Sequence, residues 1–229
     1  MARATRWLPP SLSVAATWLT VFFMTRCVIG FGGSCDSNGG RVRAMRFAAV
    51  MIALGSAFVL DDPTGDATAH LPGPLWLRRA IRIALVVPVL ALGWVVSIPL
   101  ALRTAPPGTR LPAGALTLEM AAIVSLVLAS AALAGRLASD RIGGIAAGPT
   151  LLVLLVTSFF LPARHSLFVD SQLDPPWRHS HHLWQVLLGA GILGLVALSV
   201  DPVRLGYAGR RPRRRSGELK MAGAHEASG

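Results

Sequence analysis

Lysine is nearly missing from this chain: among 22 basic residues Lys220 is the one lysine, and the rest are arginine. A phosphate-cradling G-x-x-x-x-G-K-[ST] loop needs a lysine beside its glycines, so the chain carries no P-loop ATPase of its own. Charge as a whole is scarce, at 14% of 229 residues, where soluble domains carry roughly a quarter. The sequence also lacks G-x-S-x-G, H-E-x-x-H and any plausible Ser–His–Asp arrangement. With no catalytic signature left, the chain is expected to be neither an enzyme nor a cofactor binder. Cysteine is limited to Cys27 and Cys35, which are not in a C-x-x-C arrangement and so give no support to a zinc or redox pair. A disulfide between them needs an extracytoplasmic loop, and a pair of unbridged thiols stays equally open.

What is present is apolar: 53% of the residues are hydrophobic. They come in long runs rather than at helix or strand period, and such runs mark membrane spans. The expected fold class is all-α, a polytopic membrane protein with about six transmembrane helices. The candidate spans are Leu12–Ile29, Ala44–Leu60, Ile83–Leu102, Leu116–Ala134, Ile142–Leu161 and Leu183–Val200. The second begins among Arg41, Arg43 and Arg46, whose long stems can snorkel to the headgroups. Pro88 and Pro99 would kink the third. For the first run a cleaved signal peptide competes with a retained span, and the want of a small-x-small cleavage site favours the span. Residues 1–203 are thus expected to form a transmembrane domain. Residues 204–229 read as a basic tail, too poor in apolar residues to fold alone.

Orientation follows from the arginines, which concentrate on the cytoplasmic side of membrane proteins. Without the tail the two sides carry nearly equal numbers. "GRRPRRRSGELK" tips the count, so both termini are expected in the cytoplasm. A net charge of +11 usually suggests nucleic acid. Here the basic residues flank apolar runs and fill the tail, so anionic lipid of the bilayer is the expected partner and nucleic acid is not.

Three constellations bear on chemistry. The spans hold almost no charge: Glu119 lies near the start of the fourth and Arg26 near the end of the first. Ion-driven transporters generally need ionisable groups at mid-membrane, so transport by this chain would draw its energy from elsewhere. The polar residues within the spans are Ser97, Ser125, Ser130, Thr157 and Ser158, whose hydroxyls are expected to bond backbone carbonyls or neighbouring helices. "DDPTGD", with Asp61, Asp62 and Asp66, has the composition of a magnesium-diphosphate motif. Such a site needs further carboxylates, and the other acidic pair, Asp170 and Asp174, falls on the opposite side in a six-span count. Last, His165, His179, His181 and His182 lie beside Trp177 and Trp184. Imidazoles suit Zn, Cu or Ni, but the favoured reading is an interfacial loop with tryptophans at headgroup level.

"ALGSAFVLDDP" closing the second span and "LPGPLWLRRAIR" entering the third, with "DPPWRHSHHLW" before the last, resemble the membrane subunits of ABC-type exporters. The likeness is to small actinobacterial permeases encoded beside a separate ATPase, and it covers about residues 10–200. It implies a homo- or hetero-oligomeric permease with a separate ABC ATPase subunit as partner. It also implies that the cytoplasmic segment Asp61–Arg82 includes the coupling surface, with Asp61, Asp62, Arg78 and Arg79 as its contact residues. The alternative is a non-transporting polytopic protein that engages lipid or a cytoplasmic protein through its basic tail.

Overall fold

A computed structural model describes residues 8–26, 38–60, 75–103, 105–137, 147–160, 167–169 and 177–199. All regular structure among them is helical: α1 (Leu8–Thr25), α2 (Asn38–Ala57), α3 (Leu75–Leu102), α4 (Ala113–Leu137), α5 (Ala147–Phe160) and α6 (Trp177–Ser199). Each of the six apolar runs therefore contains a helix. Four of these, α1, α3, α4 and α6, are long and apolar enough to cross a membrane. Their outward faces carry exposed residues such as Leu92, Val95, Leu193 and Val196. An apolar exterior of that kind suits lipid rather than water.

α2 is the exception in composition and the centre of the bundle in space. It packs against α1, α3, α4 and α5. Its buried face is built of small residues, among them Ala44, Ala48, Ala49, Ala53 and Gly55. Helices in membranes associate by close backbone approach, which small residues permit. At Gly55 the approach is closest, because any side chain there would collide with Ser13 of α1. Gly191 of α6 plays the same part against Ser125 and the backbone of Leu126 on α4. A helix walled by protein need not be apolar enough for lipid, so α2 falls short of a span by hydropathy.

Polar rivets cross these contacts. The Trp18 indole donates to the Gly93 carbonyl at 3.1 Å, joining α1 to α3. Trp94 donates to Thr117 Oγ1 at 2.9 Å, joining α3 to α4. Within the helices Ser97, Ser125, Ser130 and Ser158 each donate to a carbonyl three residues earlier, as anticipated for hydroxyls inside spans. α2, α4 and α6 run in one sense and α3 in the other. The starts of α2, α4 and α6 gather at one end, and the start of α3 meets the last turns of α4 and α6 at the other.

Two expected boundaries move. α2 starts six residues before Ala44 and α3 eight residues before Ile83, so arginines read as flanking charges become helical residues. With 28 residues, α3 is about 42 Å long at 1.5 Å per residue. That exceeds the roughly 30 Å of hydrocarbon by enough for its first turns, with Arg78, Arg79 and Arg82, to lie beyond it. α5 has 14 residues, about 21 Å, and the earlier part of its expected span lies outside the described residues.

Candidate functional site

Glu119 is the single carboxylate in any of the six helices. It sits two turns into α4 and is 1% exposed. Arg46 of α2, 8% exposed, faces it with two donors: Nε lies 2.8 Å from Oε2 and Nη2 lies 3.0 Å from Oε1. This fork-to-carboxylate geometry is the strongest form of charge-assisted hydrogen bond. Nη2 also donates to the Val169 carbonyl at 2.7 Å, and the guanidinium carbon lies 5.2 Å from the centre of the Phe168 ring. The flanking charge of the sequence reading is thus a correction: Arg46 points into the bundle and does not snorkel to the headgroups. A charge in low dielectric is tolerable only when paired, and the spans' lone acid supplies the pair.

The third member is His181 of α6. Its Nε2 lies 3.8 Å from Glu119 Oε1, while Nδ1 is 2.9 Å from the Trp177 carbonyl one turn earlier. The Trp177 ring covers the imidazole, with centroids 4.2 Å apart. Residues 167–169 close over the same place without regular structure. Two of their carbonyls are satisfied by side chains: Leu167 O accepts from Ser180 Oγ at 2.7 Å and from Trp184 Nε1 at 3.0 Å. Val169 O is the acceptor already described for Arg46. Irregular backbone is allowed at membrane depth when its polar groups are met in this way. Arg46 and Glu119 therefore tie α2, α4 and the segment before α6 together, with the His181 imidazole of α6 facing the pair.

A comparison with protein families, characterised proteins and solved structures found no match. The chemistry of the site therefore rests on its residues alone.

The opposite end of the bundle holds a second arrangement. Arg79, in the first turns of α3, donates to the Leu198 carbonyl at 2.9 Å. Arg136, in the last turn of α4, reaches the Ala197 carbonyl at 3.3 Å. Carbonyls in the last turn of a helix have no partner within it and carry its negative dipole end, so two guanidinium groups cap α6 there. Between the first half of α3 and the last turns of α6 lies an open apolar groove of about 580 Å³, lined by Trp76, Ile83, Val87, Pro88, Leu195 and Val196 among others.

Of the expected coupling residues, Arg78 and Arg79 are thus helical, and Arg79 is engaged with α6. Asp61 and Asp62 lie outside the described residues, as do Asp66, Asp170, Asp174, His165, Cys27, Cys35 and residues 204–229. The histidine cluster is not a loop: His179, His181 and His182 occupy the first turns of α6. His179 and His182 are exposed while His181 turns inward. Among the described residues no group of three His, Cys, Asp or Glu converges as a metal site would require. The Arg46–Glu119 pair escaped the sequence reading, although a lone acid two turns inside an apolar helix is itself a signal that a basic partner stands opposite.

Proposed function

We propose that this chain is the membrane-spanning permease subunit of an ABC-type transporter, an exporter driven by a separate ATPase. In this reading it crosses the cell membrane six times with both termini in the cytoplasm, and it pairs with itself or a homologue. The observation that carries the proposal is the anchoring of Arg79 on α6. An ATPase that pushes on the segment before α3 needs a rigid path into the bundle. The Arg79–Leu198 and Arg136–Ala197 contacts supply one, since they tie the start of α3 and the end of α4 to the end of α6. Displacement of α3 is then transmitted to two further helices.

The ion pair does not supply a driving force of its own. Arg46 neutralises Glu119 and gives one hydrogen bond to each of its oxygens, so the pair is a structural tie. Energy comes from the partner, as the missing P-loop also requires. The test is purification of the full chain from its native membrane in mild detergent. An ATPase subunit is expected to co-purify, with turnover that falls in Asp61→Ala/Asp62→Ala and in Arg79→Ala. Failure to recover any associated ATPase would defeat the proposal.

A further inference from the structure

His181 carries a site that neither the ion pair nor the permease reading uses. The Trp177 carbonyl can only accept a hydrogen bond, so the nitrogen facing it at 2.9 Å, Nδ1, must hold a proton. A neutral imidazole carries one proton, and Nε2 is then a bare lone pair. Nε2 is buried, has no hydrogen-bond partner among the described residues, and faces Glu119 Oε1 at 3.8 Å. In the neutral state two electron-rich atoms oppose each other. A second proton on the ring converts that opposition into an N–H directed at a carboxylate.

We propose that His181 and Glu119 form a proton-binding site, filled when Nε2 takes a proton from water and donates it toward Glu119 Oε1. The inference stands independently of the permease reading. Among the described residues, its surroundings favour an added positive charge at one point. On α4 the facing group is Glu119, and on α2 it is Arg46, already turned to the same carboxylate. Elsewhere on α2 stand Arg41, buried, and Arg43, exposed; on α6 Arg178, His179 and His182 are exposed. α5 and residues 167–169 contribute no titratable group. His181 is one turn from the start of α6, and 14% of its side chain is uncovered although Nε2 itself is buried. Protonation adds one charge to a neutral pair, sets His181 in competition with Arg46 for Oε1, and draws the first turn of α6 toward α4. Histidine is the side chain suited to this, since it changes charge between about pH 5 and 8.

The experiment is NMR of the full chain in lipid nanodiscs with ¹⁵N- and ¹³C-labelled histidine and ¹³C-labelled glutamate, His181 being assigned by its loss in His181→Asn and Glu119 by its loss in Glu119→Gln. At about pH 8.5, above the histidine window, the expected His181 signal is the Nδ1–H tautomer, with Nε2 unprotonated. On acidification to about pH 5 both nitrogens carry protons, and an Nε2–H correlation to the Glu119 side-chain carboxyl carbon appears. In Glu119→Gln the Nε2 signal loses its carboxylate hydrogen-bond signature and moves to the position of the exposed His179 and His182. A neutral form protonated on Nε2 would overturn the proposal. So would a ring that stays neutral throughout, or an acid-form Nε2 signal identical in wild type and Glu119→Gln. Should Glu119→Gln fail to fold, the wild-type tautomer and carboxyl correlation decide the matter alone.

Discussion

Replacing Glu119 by leucine removes the one carboxylate in the helices while keeping an apolar side chain of similar size. Arg46 would then be left buried, having lost both bonds to Glu119 and keeping its bond to the Val169 carbonyl. Breaking a buried ion pair from one side costs about 3–5 kcal/mol, because the surviving charge is uncompensated. At about 2–4 °C per kcal/mol for a chain of this size, the melting temperature should fall by about 6–20 °C. The assay is thermal unfolding of the purified chain in detergent, followed through the fluorescence of the buried Trp94 and Trp184. Arg46→Met should be similarly harmful, since it strands the carboxylate. The double variant Arg46→Met/Glu119→Leu is the decisive arm. Apolar replacement of a whole buried pair is often neutral, and the described bond to Val169 O, about 1 kcal/mol, is lost without exchange. The double variant should therefore be more stable than either single one. A Glu119→Leu protein that melts with wild type, or a double variant whose loss equals the sum of the singles, would refute the tie.

Other perturbations follow from the helix crossings and caps. Gly191→Ala should destabilise by about 1–3 kcal/mol through overpacking against Ser125. Gly189→Ala, with nothing near its added methyl, should stabilise by about 0.5–1 kcal/mol; thermal melting of the two gives opposite signs or the crossing is misplaced. Trp184→Phe keeps the contact with Phe168 and loses one hydrogen bond to Leu167 O. Ser180 still satisfies that carbonyl, so the loss measured by denaturation should be about 0.5–1 kcal/mol. Arg79→Ala should speed amide exchange in the last turn of α6 about two- to fivefold, the equivalent of about 0.3–1 kcal/mol for a C-terminal cation. Exchange unchanged there would mean that Arg79 does not hold the helix end.

The sequence was most legible where side chains meet lipid. α1, α3, α4 and α6 announce themselves because a lipid-facing helix must be apolar along its length. The serine hydroxyls were legible for a related reason: with no water available they return to their own backbone. α2 is legible only as a short run, since packing against four helices lets it carry Arg41 and Arg46 buried in its first half. Those arginines resemble a membrane edge when hydropathy is the only guide, and the pairing of Arg46 with Glu119 spans 73 positions. Within "HSHH", His181 reads as part of an interfacial loop. Its meaning depends on which face of α6 turns toward α4, and that phase is set by Ser180 and Trp184 docking on Leu167, a contact invisible in local spacing.

The coupling proposal depends on six crossings, three of which lie between residues 61–74 and residues 170–176 and so set them on opposite sides of the membrane. Thr64→Cys and Ser171→Cys, each in a background of Cys27→Ser/Cys35→Ser, test this in intact cells with a membrane-impermeant thiol reagent. The six-crossing account predicts labelling of Cys at position 171 from outside and protection of position 64 until the membrane is opened. Labelling of both from the same side would contradict it, and with it the placement of the Arg79 end of the bundle against a cytoplasmic ATPase.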